Sequence, residues 1–332
     1  MSRPGAGHVQ GGTHHAGDTC LRSRNRSTSR NDRSPTMTEG INPFWSFWQT
    51  IPGHIDPVFF SVGFFQVRYY GLMYLVAFYV FYRLVVRRVN RESLPYTEES
   101  IQDYLLWAIL GLLAGGRLGY VIFYNAGYYF ANPLEVILPF DMSRGFRYVG
   151  ISGMSYHGGF IGVLTATVIF CRKRKLDFWR FTDLIAGEIP LAYTFGRIGN
   201  FLNGELYGRV TDLPWGMYFP ADHLHALRHP SQLYEALFEG VVLYAVICLL
   251  RKKASFSGYI FALYIMGYGV VRFFIEFTRE PDPQMGFILG PLTMGQVLCI
   301  GMIIAGGVIM AVRRNAVQPA ALPKKIQKKK GD

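Results

Sequence analysis

The sequence predicts an all-α integral membrane protein, a bundle of seven transmembrane helices, and three observations carry that prediction. Half of the 332 residues are hydrophobic and only 17% are charged, against about 25% in an ordinary soluble domain. Apolar stretches of bilayer length, roughly 17–25 residues, recur along the chain. The formal charge of +12 is concentrated at the ends: residues 1–36 hold six Arg against two Asp, and residues 313–332 hold seven Lys and Arg against one Asp. That leaves a net of +2 on residues 37–312. A nearly neutral apolar core with basic ends is the charge pattern of a membrane protein, not of a nucleic-acid-binding surface.

Residues 1–36 are rich in Arg, Ser, Gly and His with no apolar run, so they read as disorder rather than a secretory leader. Met37 reads as the natural start, and residues 1–36 as an over-extension; residues 1–50 together form a disordered or interfacial extension. The spans run over 69–86, 104–124, 151–170, 181–199, 233–250, 257–276 and 292–312, within a catalytic domain over 51–312, and 313–332 form a basic tail. Arg83, Arg87, Arg88 and Arg91 mark the loop after the first span, and the second carries the small-residue run Gly111, Gly115, Gly116 and Gly119, which suits close helix packing. The third opens on Ser155-Tyr156-His157-Gly158-Gly159. The fourth holds Asp183, Glu188, Pro190 and Arg197. Because Asp183, Gly187, Pro190, Thr194 and Arg197 step by four and three, they share one helical face, which is expected to point inward. The fifth opens on Glu235 and Glu239, the sixth closes on Arg272 and Glu276, and the seventh contains Gln296. Four widely spaced cysteines, Cys20, Cys171, Cys248 and Cys299, make neither a disulfide framework nor a zinc site.

Lys and Arg crowd the loops after spans one, three, five and seven, while the loops over 125–150, 200–232 and 277–291 hold two, two and one Arg. The positive-inside rule then puts the N-terminus outside and the C-terminus in the cytoplasm. In that orientation each span carries a polar group in its outer half: Tyr70, Arg117, His157, Arg197, Glu235 with Glu239, Arg272 with Glu276, and Gln296. Asp183 and Glu188 are the exceptions. At about 1.5 Å per residue, His157 falls about 9 Å inside the outer boundary. The pattern predicts a polar cavity in the outer leaflet. Glu235 and Glu239 are a like-charge i,i+4 pair that needs a nearby cation, with Arg197 and Arg272 as candidates. An Arg272–Glu276 ion pair on one face is also expected.

Arginines and a histidine at that depth suit an anionic phospholipid headgroup. Guanidinium forks bind phosphate in pairs of hydrogen bonds, preorganised charge in low dielectric stabilises a leaving phosphate, and histidine accepts a proton near neutral pH. The residues reach a phospholipid-consuming transferase without defining the acceptor. No Walker A, GxGxxG, HExxH or GxSxG string occurs, so nucleotide, zinc-protease and serine-hydrolase readings lack support. A flippase or transporter for an anionic lipid, using the same cavity without chemistry, is the competing class. An intramembrane protease is a third.

The strings RGFRYVGISGMSYHGGFIG from Arg144 to Gly162, GRIGNFLNGELYGR from Gly196 to Arg209, HPSQLYE from His229 to Glu235 and GYGVVRFFIEFTREPD from Gly267 to Asp282 resemble the signature segments of the prolipoprotein diacylglyceryl transferase family. Tyr69-Tyr70-Gly71-Leu72-Met73 and Met294-Gly295-Gln296 resemble it too, so the likeness covers essentially 55–312. The resemblance implies transfer of an sn-1,2-diacylglyceryl group from phosphatidylglycerol to the lipobox cysteine thiol of a preprolipoprotein signal peptide, forming a thioether and releasing glycerol phosphate. This is the first step of bacterial lipoprotein maturation, at the outer face of the cytoplasmic (inner) membrane. It also implies that His157 activates the thiol and that Arg197 and Arg272 act near the phosphate as catalytic groups. Arg197, Tyr70, Asn200, Glu205, Gly208, Tyr268, Glu276 and Arg279 are the implied phosphatidylglycerol-binding positions. The 200–232 segment becomes a small periplasmic head. Partners are then phosphatidylglycerol, the signal peptide and surrounding membrane lipids, with no metal, cofactor or nucleic acid.

Overall fold

A computed structural model describes residues 42–63, 65–124, 126–136, 140–141, 147–148, 153–280, 287–290 and 292–315. The expected extension over 1–36, the tail beyond 315 and much of 144–152 lie outside the described residues. The fold is mainly helical. A short helix α1 (Pro43–Thr50), capped by the Asn42 side chain accepting from Phe44 N at 2.9 Å, precedes α2 (Tyr69–Arg91) and α3 (Glu98–Tyr124). After α4 (Ala126–Ala131) come α5 (Tyr156–Lys173), α6 (Phe178–Ala186) and α7 (Ile189–Leu202). Next is a continuous rod, Ser231–Lys253, made of α8 (Ser231–Tyr234), a π-helical segment Glu235–Val242 and α9 (Leu243–Leu250). Helices α10 (Tyr259–Ile275) and α11 (Met294–Arg314) complete it.

Five of these are long and apolar enough to cross a membrane: Tyr69–Arg91, Glu98–Phe123, Ser231–Lys253, Tyr259–Thr278 and Met294–Arg314. They coincide with five of the expected spans. Leu75, Tyr79, Leu106, Leu110, Phe123 and Leu249 point outward and are exposed, as lipid-facing side chains are in a multi-pass membrane protein. The third expected span is α5, of 18 residues, which starts at Tyr156 rather than 151 because the Ser155 hydroxyl caps it, accepting from Gly158 N at 3.3 Å. The fourth differs from the single helix expected over 181–199. It is two short helices, α6 and α7, separated at Gly187 and Glu188. Pro190 is the physical cause: it has no N–H for the preceding turn, and its ring crowds the carbonyl four residues back, that of Ala186.

The packing is closest between α3 and α5, where added methyl groups at Gly115 or Gly158 would collide with the opposite helix's backbone. The core at the other end of these helices is aromatic. Tyr96, Tyr104, Phe170 and Phe181 are buried with Val85, Val89 and Ile101, and the Tyr104 and Phe181 rings meet edge to face at 4.8 Å.

The basic ends of the helices gather at this same end. Arg88, 7% exposed, donates to the carbonyls of Asp183 and Leu184 at 3.0 and 3.2 Å, satisfying acceptors left open at the end of α6. It also faces Glu188, which pairs with Arg251 at 3.2 Å. Asp183 belongs to the expected inward stripe, and its carboxylate caps a different helix, accepting from Gly258 N and Phe261 N of the α10 N-terminus at 2.7 and 2.8 Å. Arg313 at the end of α11 reaches the carbonyl of Ser257 in the same region.

At the opposite end, the segment between α7 and the rod packs under α1. Phe201, Met217 and Phe219 form a small core with Trp48, Ile51 and Leu233. The Trp48 indole donates to the Trp215 carbonyl at 2.9 Å. Met217–Tyr218 pairs antiparallel with Leu227–Arg228. Asp222 and Arg228, 3% and 4% exposed, lock this segment with two parallel hydrogen bonds of 2.8 and 2.9 Å, and Arg228 also pairs with Glu280. The Arg228 fork holds the Asp222 carboxyl below the usual carboxylate range, against the upward pull of burial. A carboxyl lowered on folding stabilises at pH values above its unfolded value, about 3.9, and that contribution is lost as pH falls through the lowered value. Resistance of 203–230 to limited proteolysis is therefore expected to hold down to about pH 4 and fail below it. Asp222→Asn leaves the buried Arg228 with Glu280 as its carboxylate partner, at a cost of about 1–3 kcal/mol, and is expected to loosen the segment at neutral pH.

Candidate functional site

The polar groups at the end of the bundle opposite the basic termini converge on one carboxylate. Glu235 is fully buried at the start of the π-helical segment. Its Oε2 lies 2.7 Å from Arg197 Nε, and its Oε1 lies 3.2 Å from Arg272 Nη1 and 2.6 Å from Arg279 Nη1. The expected cation for the Glu235–Glu239 pair is thus both candidates together, joined by a third arginine. Glu239, also fully buried, faces Arg272 Nη1 at 3.6 Å and accepts from the Tyr193 hydroxyl at 2.6 Å. Tyr193 in turn accepts from Arg197 Nε at 2.5 Å, and the guanidinium lies over its ring at 4.7 Å. The expected Arg272–Glu276 pair forms at 3.2 Å. Glu276 is held from α11's start by the Thr293 hydroxyl at 3.1 Å, where Thr293 and Gln296 close a capping box.

The sequence places these groups by local rules. Tyr193 and Arg197 are one turn apart on α7, as are Glu235 and Glu239 on the rod, and Arg272 of α10 and Glu276 just past its end. The π-helical widening of the rod frees backbone acceptors, and the Thr194 hydroxyl of α7 answers one of them, donating to Ala236 O at 3.2 Å. π-turns of this kind are common at functional sites.

From Arg197 a second chain runs outward. Arg197 Nη1 donates to Asn200 Oδ1 at 3.3 Å, and Asn200 Nδ2 donates to Glu205 Oε1 at 2.8 Å. The Asn203 amide holds the other Glu205 oxygen at 3.0 Å, and Gln232 binds the Glu205 carbonyl at 2.6 Å. Tyr70, in the first turn of α2, lies within electrostatic range of Glu205 and Arg197, and its hydroxyl pairs with that of Tyr74 at 3.1 Å. The Tyr268 ring meets Tyr193 edge to face at 6.0 Å.

Gly208 is where three segments cross. Its N–H donates to the His229 carbonyl at 2.8 Å and it bridges to Arg279, while Arg209 N donates to Thr278 O at 2.9 Å. A methyl group at 208 would collide with the Thr278 carbonyl and sit 2.9 Å from the His229 Cβ. Gly208→Ala is therefore expected to displace the 276–279 turn and destabilise the protein by about 1–3 kcal/mol. Thermal unfolding of the purified variant, with loss of turnover greater than loss of stability, checks this.

Two expected site members stand elsewhere. His157 is the second residue of α5, exposed, in the first turn rather than deep within a span, and the ion pairs around Glu235 do not include it. Arg117 is engaged by backbone, donating to Val136 O and Glu135 O at 2.8 and 2.6 Å, with its guanidinium over Tyr129. That makes it a brace for the turn after α4. The third arginine of the cluster is Arg279 instead. Tyr193 is a further member that the motifs do not single out, although it lies one turn before Arg197 and three residues before Gly196, a spacing that points it at the same face.

Fold and site together define a multi-pass membrane protein that holds a buried arginine–carboxylate cluster at one end of its helices. Residues 57–312 match the family model described as prolipoprotein diacylglyceryl transferase. The chain is 49% identical over 275 residues to the phosphatidylglycerol–prolipoprotein diacylglyceryl transferase of Chlorobaculum tepidum, covering 82% of this chain and 95% of that protein. It is 42% identical over 267 residues to the same-named protein of Geobacter sulfurreducens, covering 80% and 98%, and 45% identical over 253 residues to that of Bordetella parapertussis, covering 76% and 93%. The chain belongs to the prolipoprotein diacylglyceryl transferase family and is a transferase.

Proposed function

We propose that the protein transfers the sn-1,2-diacylglyceryl group of phosphatidylglycerol to the lipobox cysteine thiol of a preprolipoprotein. The convergence of Arg197, Arg272 and Arg279 on the single buried carboxylate of Glu235 carries this reading. Three guanidiniums gathered in a water-poor site form a receptor for a phosphodiester. In the reaction a sulfur–carbon bond forms at the glyceryl carbon as its carbon–oxygen bond to phosphate breaks. Negative charge builds on the departing phosphate, where fixed guanidiniums stabilise it most. The thiol proton passes to a base and then to the glycerol phosphate product.

In this reading Arg197 and Arg272 are catalytic and Arg279 completes the phosphate site. Glu205 and Asn200 hold Arg197 in place, Tyr70 and Tyr268 wall the headgroup, Gly208 keeps the Arg279 turn against the head, and Glu276 orients Arg272. His157, in the first turn of α5, is the thiol's base. The bundle has seven spans, the fourth being α6 and α7 in tandem. The N-terminus lies outside, the C-terminus in the cytoplasm and the cluster in the outer leaflet of the inner membrane, with 200–232 as a periplasmic head. The gathering of Arg88, Arg251 and Arg313 at the end remote from Glu235 supports that orientation.

Incubating purified protein with phosphatidylglycerol and a lipobox peptide tests the function. Thioether-linked peptide with glycerol phosphate is the expected outcome. Lipid movement across a vesicle without product would make the protein a flippase, and a cleaved peptide would make it a protease.

A further inference from the structure

The cluster is electrically balanced without a ligand. Arg197, Arg272 and Arg279 face Glu235, Glu239 and Glu276 through a continuous set of ion pairs. An anionic headgroup adds one negative charge to a buried neutral set, which is costly in low dielectric unless a positive charge follows it.

The three carboxylates are unequal. Glu235 keeps three guanidinium partners, and Glu276 is shared by Arg272, Arg279 and the Thr293 hydroxyl. Glu239 is 0% exposed, and among the described residues its one ion pair is with Arg272, at 3.6 Å. One of its oxygens accepts from Tyr193 at 2.6 Å, and the other, Oε1, has no hydrogen-bond partner among the described residues; Glu276 Oε2 has none either, but it lies 3.2 Å from Arg272 Nη2. Around it stand Glu235 one turn away on the rod, Tyr193 and Arg197 from α7, and Arg272 from α10. Cys299 of α11 lies within electrostatic range. Arg272 is therefore the cation on which Glu239 depends, and it is one that a phosphate would claim.

We propose that Glu239 takes up a proton when phosphatidylglycerol enters the cluster. The headgroup phosphate draws the Arg272 guanidinium toward itself, and the carboxylate left behind accepts one proton from water at the outer face to become a carboxylic acid. The proton leaves when glycerol phosphate departs and Arg272 returns. This rests on placing the phosphate of phosphatidylglycerol in the arginine cluster. Glu239 is a charge-balancing residue here and touches no reacting atom.

Isothermal titration of short-chain phosphatidylglycerol into the full-length protein near pH 7, repeated in buffers of different ionisation enthalpy, counts the linked protons. The wild type is expected to take up about one proton per lipid, and its affinity to fall by up to about tenfold per pH unit as pH rises. Glu239→Asp keeps the uptake, and Glu239→Gln, which carries its hydrogen permanently, binds without it. Lipid binding with no proton uptake by the wild type, or undiminished uptake by the Gln variant, overturns the proposal. Failure of the wild type to bind phosphatidylglycerol at all would remove the headgroup assignment beneath it.

Discussion

Replacing Arg272 with lysine is expected to lower kcat/KM by about 10²–10³-fold, the loss seen when one preorganised charge donor is removed from a developing anion. The geometry explains why charge alone does not suffice. Arg272 reaches Glu235 and Glu239 with Nη1 and Glu276 with Nη2, at 3.2, 3.6 and 3.2 Å. A planar fork spans three carboxylates from one position, whereas an ammonium is a point charge that cannot present two parallel donors to a phosphate. The fall should appear in kcat as well as KM, because the phosphate gains charge in the transition state. Steady-state kinetics with phosphatidylglycerol and a lipobox peptide provide the check, and full activity with lysine would reduce Arg272 to a point charge.

His157→Gln is expected to slow thioether formation by about 10²–10⁴-fold, the span of general base catalysis. An unassisted cysteine thiol, with a pKa of about 8.5, is mostly protonated at neutral pH. His157 lies in the first turn of α5 beside the Ser155 cap and is exposed. Glutamine keeps the size and hydrogen bonding and loses the basicity. The deficit should shrink as pH rises toward the thiol's own range, a behaviour that loss of packing would not produce. Near-normal turnover of the variant at pH 7 would leave the chemistry to the arginines alone.

Much of this was legible in the sequence because lipid imposes simple rules. Five expected spans are long apolar helices, since length and hydropathy decide that question almost alone. Glu235 and Glu239 announced a missing cation by their spacing, and the structure supplies Arg197, Arg272 and Arg279. Other features depend on tertiary partners. The break at Gly187 and Glu188 was signalled by Pro190, yet the apolar run around it looked continuous. Asp183 was expected to point inward, and only the tertiary packing shows that what it meets there is the N-terminus of α10. Arg117 resembled Arg197 and Arg272 in sequence, and only the carbonyls of Glu135 and Val136 show that it braces a turn. The π-helical segment has no sequence signature of its own, because it is set by what packs against it.

In the proposed function the headgroup phosphate of phosphatidylglycerol sits among Arg197, Arg272 and Arg279. Phosphatidylglycerol bearing a photoactivatable diazirine on its headgroup glycerol tests it most directly, with the labelled residues mapped by mass spectrometry after irradiation of the membrane-embedded protein. Labelling is expected to concentrate on 193–208 and 268–279, competed by unlabelled phosphatidylglycerol and lost in Arg272→Lys. Specific, competable labelling confined to α3 and α5, with those two segments untouched, would contradict it.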